Sequence, residues 1–137
     1  MGENCIFCKI IKGEIPSQKI FENENTFAFL DINPASFGHA LVIPKKHYET
    51  LIDVPDEELK QLIISVKKVS TAIMYATNIK GFNILQNNGK IAGQIVNHVH
   101  FHIIPREEND SINFSLGSNQ VETSELEKTA KLIKEKL

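Results

Sequence analysis

Apolar positions Ile6, Phe7, Ile10 and Ile11 recur at helical spacing through "CIFCKIIK", residues 5–12, which predicts a short helix carrying both cysteines. Gly13 offers a C-terminal stop and Pro16 forbids continuation. The spacing then shortens. "QKIFENENTFAFLDI" reads as two strands around a turn at Asn23-Glu24-Asn25, and "GHALVIPK" as a third strand with His39, Leu41 and Ile43 on one face and Ala40 and Val42 on the other. From Asp56 to Asn78 the period lengthens again. Leu59, Leu62, Ile63, Val66, Val69, Ile73 and Ala76 trace one stripe of a long helix, with Gly81 as its predicted end. "FNILQN" and "NHVHFHIIP" supply a fourth and a fifth strand, joined by the glycine-containing loop "NGKIAGQ". A last helix is predicted from Ser124, where Ser124 and Glu127 match a capping box and Leu126, Ala130, Ile133 and Leu137 give an apolar stripe. Residues 107–122 are polar without a period and read as loop. This order predicts an α+β fold: a five-stranded antiparallel sheet with one long helix and short N- and C-terminal helices, rather than a doubly wound sheet.

Composition narrows the function classes. At 137 residues, 42% hydrophobic and 23% charged, the chain suits one domain with a real core, spanning 1–137. A net charge of −2 and a pI of about 6.2 argue against a nucleic-acid or anionic-membrane partner, since either needs a basic face. Any phosphate must therefore be held locally, by backbone N–H groups and a few side chains. No apolar run reaches the roughly 20 residues of a membrane span. The N-terminus lacks a secretory signal, and Ile6 stands where myristoylation wants Ser or Thr. The sequons at Asn109 and Asn113 then read as chance matches, and the expected location is cytoplasmic. In a reducing compartment Cys5 and Cys8 are not expected to stay disulfide-bonded. No strand precedes them, as a thioredoxin-like site requires, so the C-x-x-C pair reads better as half of a metal site.

Three of five histidines fall in "NHVHFHIIPR", residues 97–106, at every second position. On a strand, His98, His100 and His102 share a face with Ile104, while Val99, Phe101 and Ile103 share the other and suit packing on the long helix. Alternate residues lie about 7 Å apart, so the three rings hardly converge on one atom and are expected to divide the work. Three readings remain open from the residues: a solvent-facing polar strand, a His-x-His metal site, or nucleophilic catalysis by a neutral imidazole at phosphorus.

"GQIVNHVHFHIIPR" resembles the His-φ-His-φ-His-φ-φ signature of the histidine-triad (HIT) family, with φ apolar. "CIFCKIIKGEIPS", "AFLDINP", "GHALVIPKKH" and "LQNNG…AGQ" resemble that family too, in its order and at its spacing. The likeness runs over a core of 4–106, with 107–137 as loop and C-terminal helix, and is greatest to small HINT-like bacterial members. It implies a HIT-like fold and a nucleotide hydrolase or nucleotidyl transferase acting at the α-phosphate of purine nucleoside phosphoramidates. His100 would be the nucleophile of a nucleotidyl-histidine intermediate. A P–N substrate exchanges one bond for a similar one at that step. By the same resemblance His102 and His39 line the phosphate pocket, Asn87 and Gln94 hydrogen-bond there, and Gly93 lets backbone approach. Asp31 would meet the ribose hydroxyls of an AMP-like ligand, and Phe7, Ile10, Phe29 and Ile32 would surround the base. Read alone, those four are equally core residues and Asp31 equally a turn cap. Such a site works by positioning and electrostatics and requires no catalytic metal.

The resemblance also completes the metal site, with Cys5, Cys8, His47 and His98 as ligands of a structural zinc; a closed Cys₂His₂ set leaves no open position. It further implies a homodimer built on the long helix and a strand edge. The chain departs from the family at Ile95, where Ser is usual. An aliphatic side chain cannot donate a hydrogen bond, which bears on leaving-group departure. It also lacks the Trp-Pro-Pro-Gly ending of eukaryotic HINT proteins. Two rivals stand beside the phosphoramidase reading: a dinucleoside polyphosphate hydrolase, and a nucleotide-binding or interaction module with weak catalysis.

Overall fold

A computed structural model describes residues 2–137. Helix α1 (Ile6–Ile11) leads into strands β1 (Lys19–Glu22), β2 (Thr26–Leu30) and β3 (Ala40–Pro44). Helix α2 (Asp56–Thr77), strands β4 (Gly81–Leu85) and β5 (Phe101–Arg106) and helix α3 (Thr123–Lys134) follow. The five strands form one antiparallel sheet in the order β1-β2-β3-β5-β4. The fold class read from the pattern is the one observed.

The sheet is covered on both faces, and strand alternation decides which side chain goes where. Ala28, Ala40, Val42, Val99, Phe101 and Ile103 pack beneath α2, against Leu62, Val66, Val69 and Ile73. Asp56, Glu57 and Glu58 occupy the first turn of α2, where acidic groups complement the helix dipole. On the opposite face Phe27, Phe29, Leu41 and Ile43 pack with Phe7 and Ile10 of α1. The register places Phe29, Leu41, His102 and Leu85 in one row across four strands. That row carries the site from the β2 side of the sheet to the β4 edge.

Several local expectations are corrected. The α2 stripe is narrower than its pattern: Ile63 and Ala76 are exposed. The helix ends at Asn78 in the left-handed region, φ 56°, and Gly81 instead opens β4. Asparagine serves this role because its short polar side chain tolerates that conformation. The fifth strand is shorter at its start than "NHVHFHIIP", since the ladder begins at Phe101, opposite Val42. His98 to His100 run alongside the segment after β3 instead, with the Val99 N–H donating to the Tyr48 carbonyl at 2.8 Å. The alternation of faces survives this. The capping box at Ser124 does not form: the helix starts at Thr123, Glu122 is its N-cap, and no side chain caps it. All of α3 is exposed. Short 3-10 turns at Leu51–Asp53 and Lys90–Ala92 had no periodic signal. No helix among the described residues is long and apolar enough to cross a membrane.

Candidate active site

The N-cap of α1 is Cys5, whose Sγ accepts from the Cys8 backbone N–H at 3.4 Å, so both thiols face one side of a single helical turn. Opposite them stand His98 and His47. Cys5 Sγ lies 3.4 Å and Cys8 Sγ 3.6 Å from His98 Nδ1, and Cys8 Sγ lies 3.4 Å from His47 Nδ1. All four ligand atoms fall within 4.8 Å of one another. Zinc bonds of 2.3 Å to sulfur and 2.0–2.1 Å to nitrogen give a tetrahedral sulfur–nitrogen edge of about 3.6 Å, so the group is already at ligand spacing. His98 is fully buried, and its Nε2–H donates to the Pro44 carbonyl at 2.8 Å. That leaves the Nδ1 lone pair directed at the thiols, the usual arrangement for a metal-bound imidazole. The four residues can hold a metal ion.

Beside this group, backbone atoms set the protons of the other rings. His100 Nδ1–H donates to the His98 carbonyl at 2.7 Å, which leaves Nε2 as the basic nitrogen. The Phe7 ring stands edge-on to His100, 5.1 Å between centroids, and fixes its plane. His39 Nδ1 accepts the Ala35 N–H at 2.9 Å, so a neutral His39 carries its proton on Nε2. That proton is donated to His102 Nδ1 at 3.0 Å, and the His102 proton is thereby placed on Nε2. The same logic argues against His39, His102 and Asp31 as a metal set, although they lie close together, because the His39 Nε2 lone pair is already protonated.

Burial pushes His39 and His100 below the ordinary imidazole range, and burial with the neighbouring His100 and His39 rings takes His102 to about 4. All three rings therefore favour the neutral form, and an arriving phosphate would raise them again. Because the folded value of His102 lies below the unfolded 6.5, the unfolded chain takes up more protons between the two. Stability is therefore full above pH 6.5 and lost as pH falls towards 4. Urea midpoints measured at pH 7 and 4.5 should show this fall, and His102→Asn should make it shallower; an equal slope in both proteins would remove His102 as a source.

The rings border a cavity of about 540 Å³ lined by Phe7, Asp31, His39, Asn87, Gly93, His100 and His102, among others. Seven of the residues chosen from sequence are thus brought together. Asp31 does two things: Oδ1 accepts the Asn33 N–H at 2.8 Å, an Asx turn, while Oδ2 lies 3.6 Å from His39 Nε2. Gly93, at φ 94°, closes the 3-10 turn in a conformation that disfavours a side chain, and its carbonyl accepts from Asn87 Nδ2 at 3.4 Å. Four chosen residues do not line the cavity. Ile10 and Phe29 lie buried behind Phe7, and Ile32 is 80% exposed beyond it. Gln94 is buried and turned to the loop: Oε1 accepts from Gly89 N, and Nε2 donates to the carbonyls of Glu49 and Val96. Ile95 borders the cavity and is 93% exposed. Sequence reasoning missed Ile112 and Phe114, which line the same cavity from the aperiodic segment after β5.

The antiparallel sheet thus sets paired imidazoles at the wall of a cavity. The HIT domain family model matches residues 12–109, and the chain belongs to that family. It is 51% identical over 130 residues to an uncharacterized HIT-like protein of Methanocaldococcus jannaschii, covering 95% of this chain and 98% of that one. It is 49% identical over 133 residues to an adenosine 5'-monophosphoramidase of Saccharomyces cerevisiae, covering 97% and 80%. A HIT-family crystal structure from Bacillus subtilis superposes with a TM-score of 0.94 at 43% identity, covering 98% of each chain. A zinc-bound histidine triad protein of Mycobacterium smegmatis gives 0.77 at 36%, covering 87% and 86%.

Proposed function

We propose that the chain, as one HIT domain over 1–137, hydrolyses purine nucleoside phosphoramidates through a nucleotidyl-His100 intermediate. The observation that carries this is the 2.7 Å hydrogen bond from His100 Nδ1–H to the His98 carbonyl, on a ring bordering the cavity. It leaves Nε2 free to attack. The Nε2–P bond forms as the bond from phosphorus to the leaving nitrogen breaks, and the amine departs with the electron pair and takes up a proton. The phosphorylated ring becomes cationic, and its Nδ1–H stays on the carbonyl, which stabilises that charge. Water then breaks the N–P bond and releases AMP. The His102 Nε2–H and the Asn87 amide are the donors for the phosphoryl oxygens, Gly93 lets the backbone approach them, Gln94 holds the loop that carries Asn87 and Gly93, and Asp31 meets the ribose. Phe7 forms the near wall of the base site with Ile32 at its rim, and Ile10 and Phe29 support Phe7 from behind. No catalytic metal takes part. Zinc on Cys5, Cys8, His47 and His98 supplies a cross-link between α1 and the sheet.

A panel of adenosine phosphoramidate against diadenosine polyphosphates tests the reading. Faster turnover of the phosphoramidate supports it, and preference for the polyphosphates assigns the chain to the rival hydrolase. One observation favours the weakly catalytic alternative: Ile95 puts a hydrocarbon where a donor would face the leaving group. Oxyanion-type donors contribute on the order of 10²–10³ in rate. Ile95→Ser should accordingly raise kcat by tenfold or more, with little effect on stability for so exposed a side chain; a lower kcat would show that the aliphatic group itself serves the reaction. A homodimer is supported by the unpartnered apolar side chains of α3 and of Ile63, Ile64 and Tyr75 on α2, and by β4 at the sheet edge. Light scattering on the eluting protein checks it. The net charge of −2 accords with a cytoplasmic protein bound to neither nucleic acid nor membrane.

A further inference from the structure

Beyond the cavity's chosen residues lies a clamp that no motif announces. Arg106, at the end of β5, donates through Nε and Nη2 to both carboxylate oxygens of Asp110, each at 2.8 Å. Its Nη1 donates to Asn83 Oδ1 on β4 at 2.9 Å, and Nη2 also reaches the Ile112 carbonyl at 3.0 Å. Asp110 in turn accepts the backbone N–H groups of Glu107 and Ile112. The guanidinium lies 5.6 Å from the centre of the Phe114 ring. A bidentate, planar fork of this kind fixes direction as well as distance. It ties an otherwise aperiodic segment to the β4 edge of the sheet, and that segment delivers Ile112 and Phe114 to the cavity wall.

The sheet order decides what that wall faces. His100 and His102 belong to the β5 segment, with β3 on one side and β4 on the other. Asp31 and Leu41 lie on the β2–β3 side, whereas Leu85 and the clamped segment lie on the β4 side. A nucleoside that occupies the first side leaves the second for the group expelled from phosphorus. We propose that Phe114, held by Arg106 as a positioning residue, is the specificity-determining wall for the leaving group, and that it selects amines with an apolar or aromatic body. Leu85 and Ile104 continue the same surface on the cavity floor. The Asp110 carboxyl is held well below the ordinary carboxylate range by the Arg106 hydrogen bonds, in keeping with a clamp that stays charged across the working pH. This inference rests on the phosphoramidase reading and adds to it which amines are favoured.

The test compares kcat/KM on the full chain for two adenosine phosphoramidates, one unsubstituted at nitrogen and one bearing a 2-arylethyl group. Phe114→Ala should lower the ratio of arylethyl to unsubstituted substrate by about tenfold, the size of one lost aromatic contact, and through KM of the arylethyl substrate rather than its kcat. Arg106→Ala and Arg106→Lys should lower the ratio in the same direction, since lysine keeps the charge but cannot make the fork. The double variant should fall no further than Phe114→Ala. If Arg106→Ala fails to fold, Phe114→Ala decides alone, as that ring is 40% exposed. A ratio unmoved by Phe114→Ala, or both substrates falling together, overturns the assignment while leaving the phosphoramidase reading intact. A wild-type protein that neither binds AMP nor hydrolyses the unsubstituted substrate removes both.

Discussion

His100→Gly should reduce hydrolysis of adenosine phosphoramidate by roughly 10⁴-fold or more, while AMP still binds and the fold persists. The reason lies in what the ring does and does not hold. Its one protein hydrogen bond goes to the His98 carbonyl, two residues away, so no long-range network depends on it. The ring is 5% exposed and packs edge-on to Phe7, so its removal leaves a small cavity that costs on the order of 1–3 kcal/mol. Zinc content should be unchanged, since His98 keeps its own bonds to Pro44 and its place beside the thiols. In the wild-type protein, a reaction quenched at alkaline pH, where N–P bonds of imidazole survive, should yield a peptide containing His100 that carries one nucleotidyl group. The variant should yield none. Hydrolysis at the wild-type rate in His100→Gly, or an adduct on His39 or His102 instead, would refute the nucleophile assignment.

What the chain discloses before folding depends on how local each signal is. The division of His98, His100 and His102 from Val99, Phe101 and Ile103 needs only a two-residue period, and it holds even though the ladder starts at Phe101. The protonation pattern of the rings was not legible. It is set by the Pro44 carbonyl and the Ala35 N–H, atoms identical at every residue and informative only once the chain has folded. Gln94 illustrates an intermediate case. Its position in the resembled motif was readable, but the partners of its amide, among them the Glu49 carbonyl, come from a distant segment. Ile112 and Phe114 escaped because they follow no period. The one available signal was the opposite charge of Arg106 and Asp110 four residues apart, which a loop reading discards although it anchors the turn through Asn109 at φ 65°. The helical period fades at Asn78, as observed, but the expected stop fell on Gly81 because glycine is the commoner one.

Replacing Cys8 by serine should strip zinc from the protein and lower its melting temperature by roughly 10 °C or more, with hydrolysis at 20 °C retained within about tenfold. The argument starts from the donors. Burial, reinforced by Cys5, pushes the Cys8 thiol up to about 11, so without a cation Cys8 resists ionisation; a divalent ion would supply the charge that makes its sulfur a thiolate. Cys5 and Cys8 hold α1, His47 follows β3, and His98 precedes β5, so one ion joins three segments remote in sequence. A chain of 137 residues has a modest core, and α1 is only six residues long, too short to stay helical without support. A metal held there would therefore act mainly on stability. Its reach into catalysis would be indirect, through the His98 carbonyl that orients His100 and through Phe7, whose ring packs on both histidines. Metal analysis by mass spectrometry together with differential scanning calorimetry separates the outcomes. Zinc retained at wild-type stoichiometry with an unmoved melting point would show that Cys8 is merely a buried thiol. Zinc lost and hydrolysis abolished in a variant that keeps its melting point would place the ion in the chemistry, against the closed four-ligand set that leaves it no position for substrate.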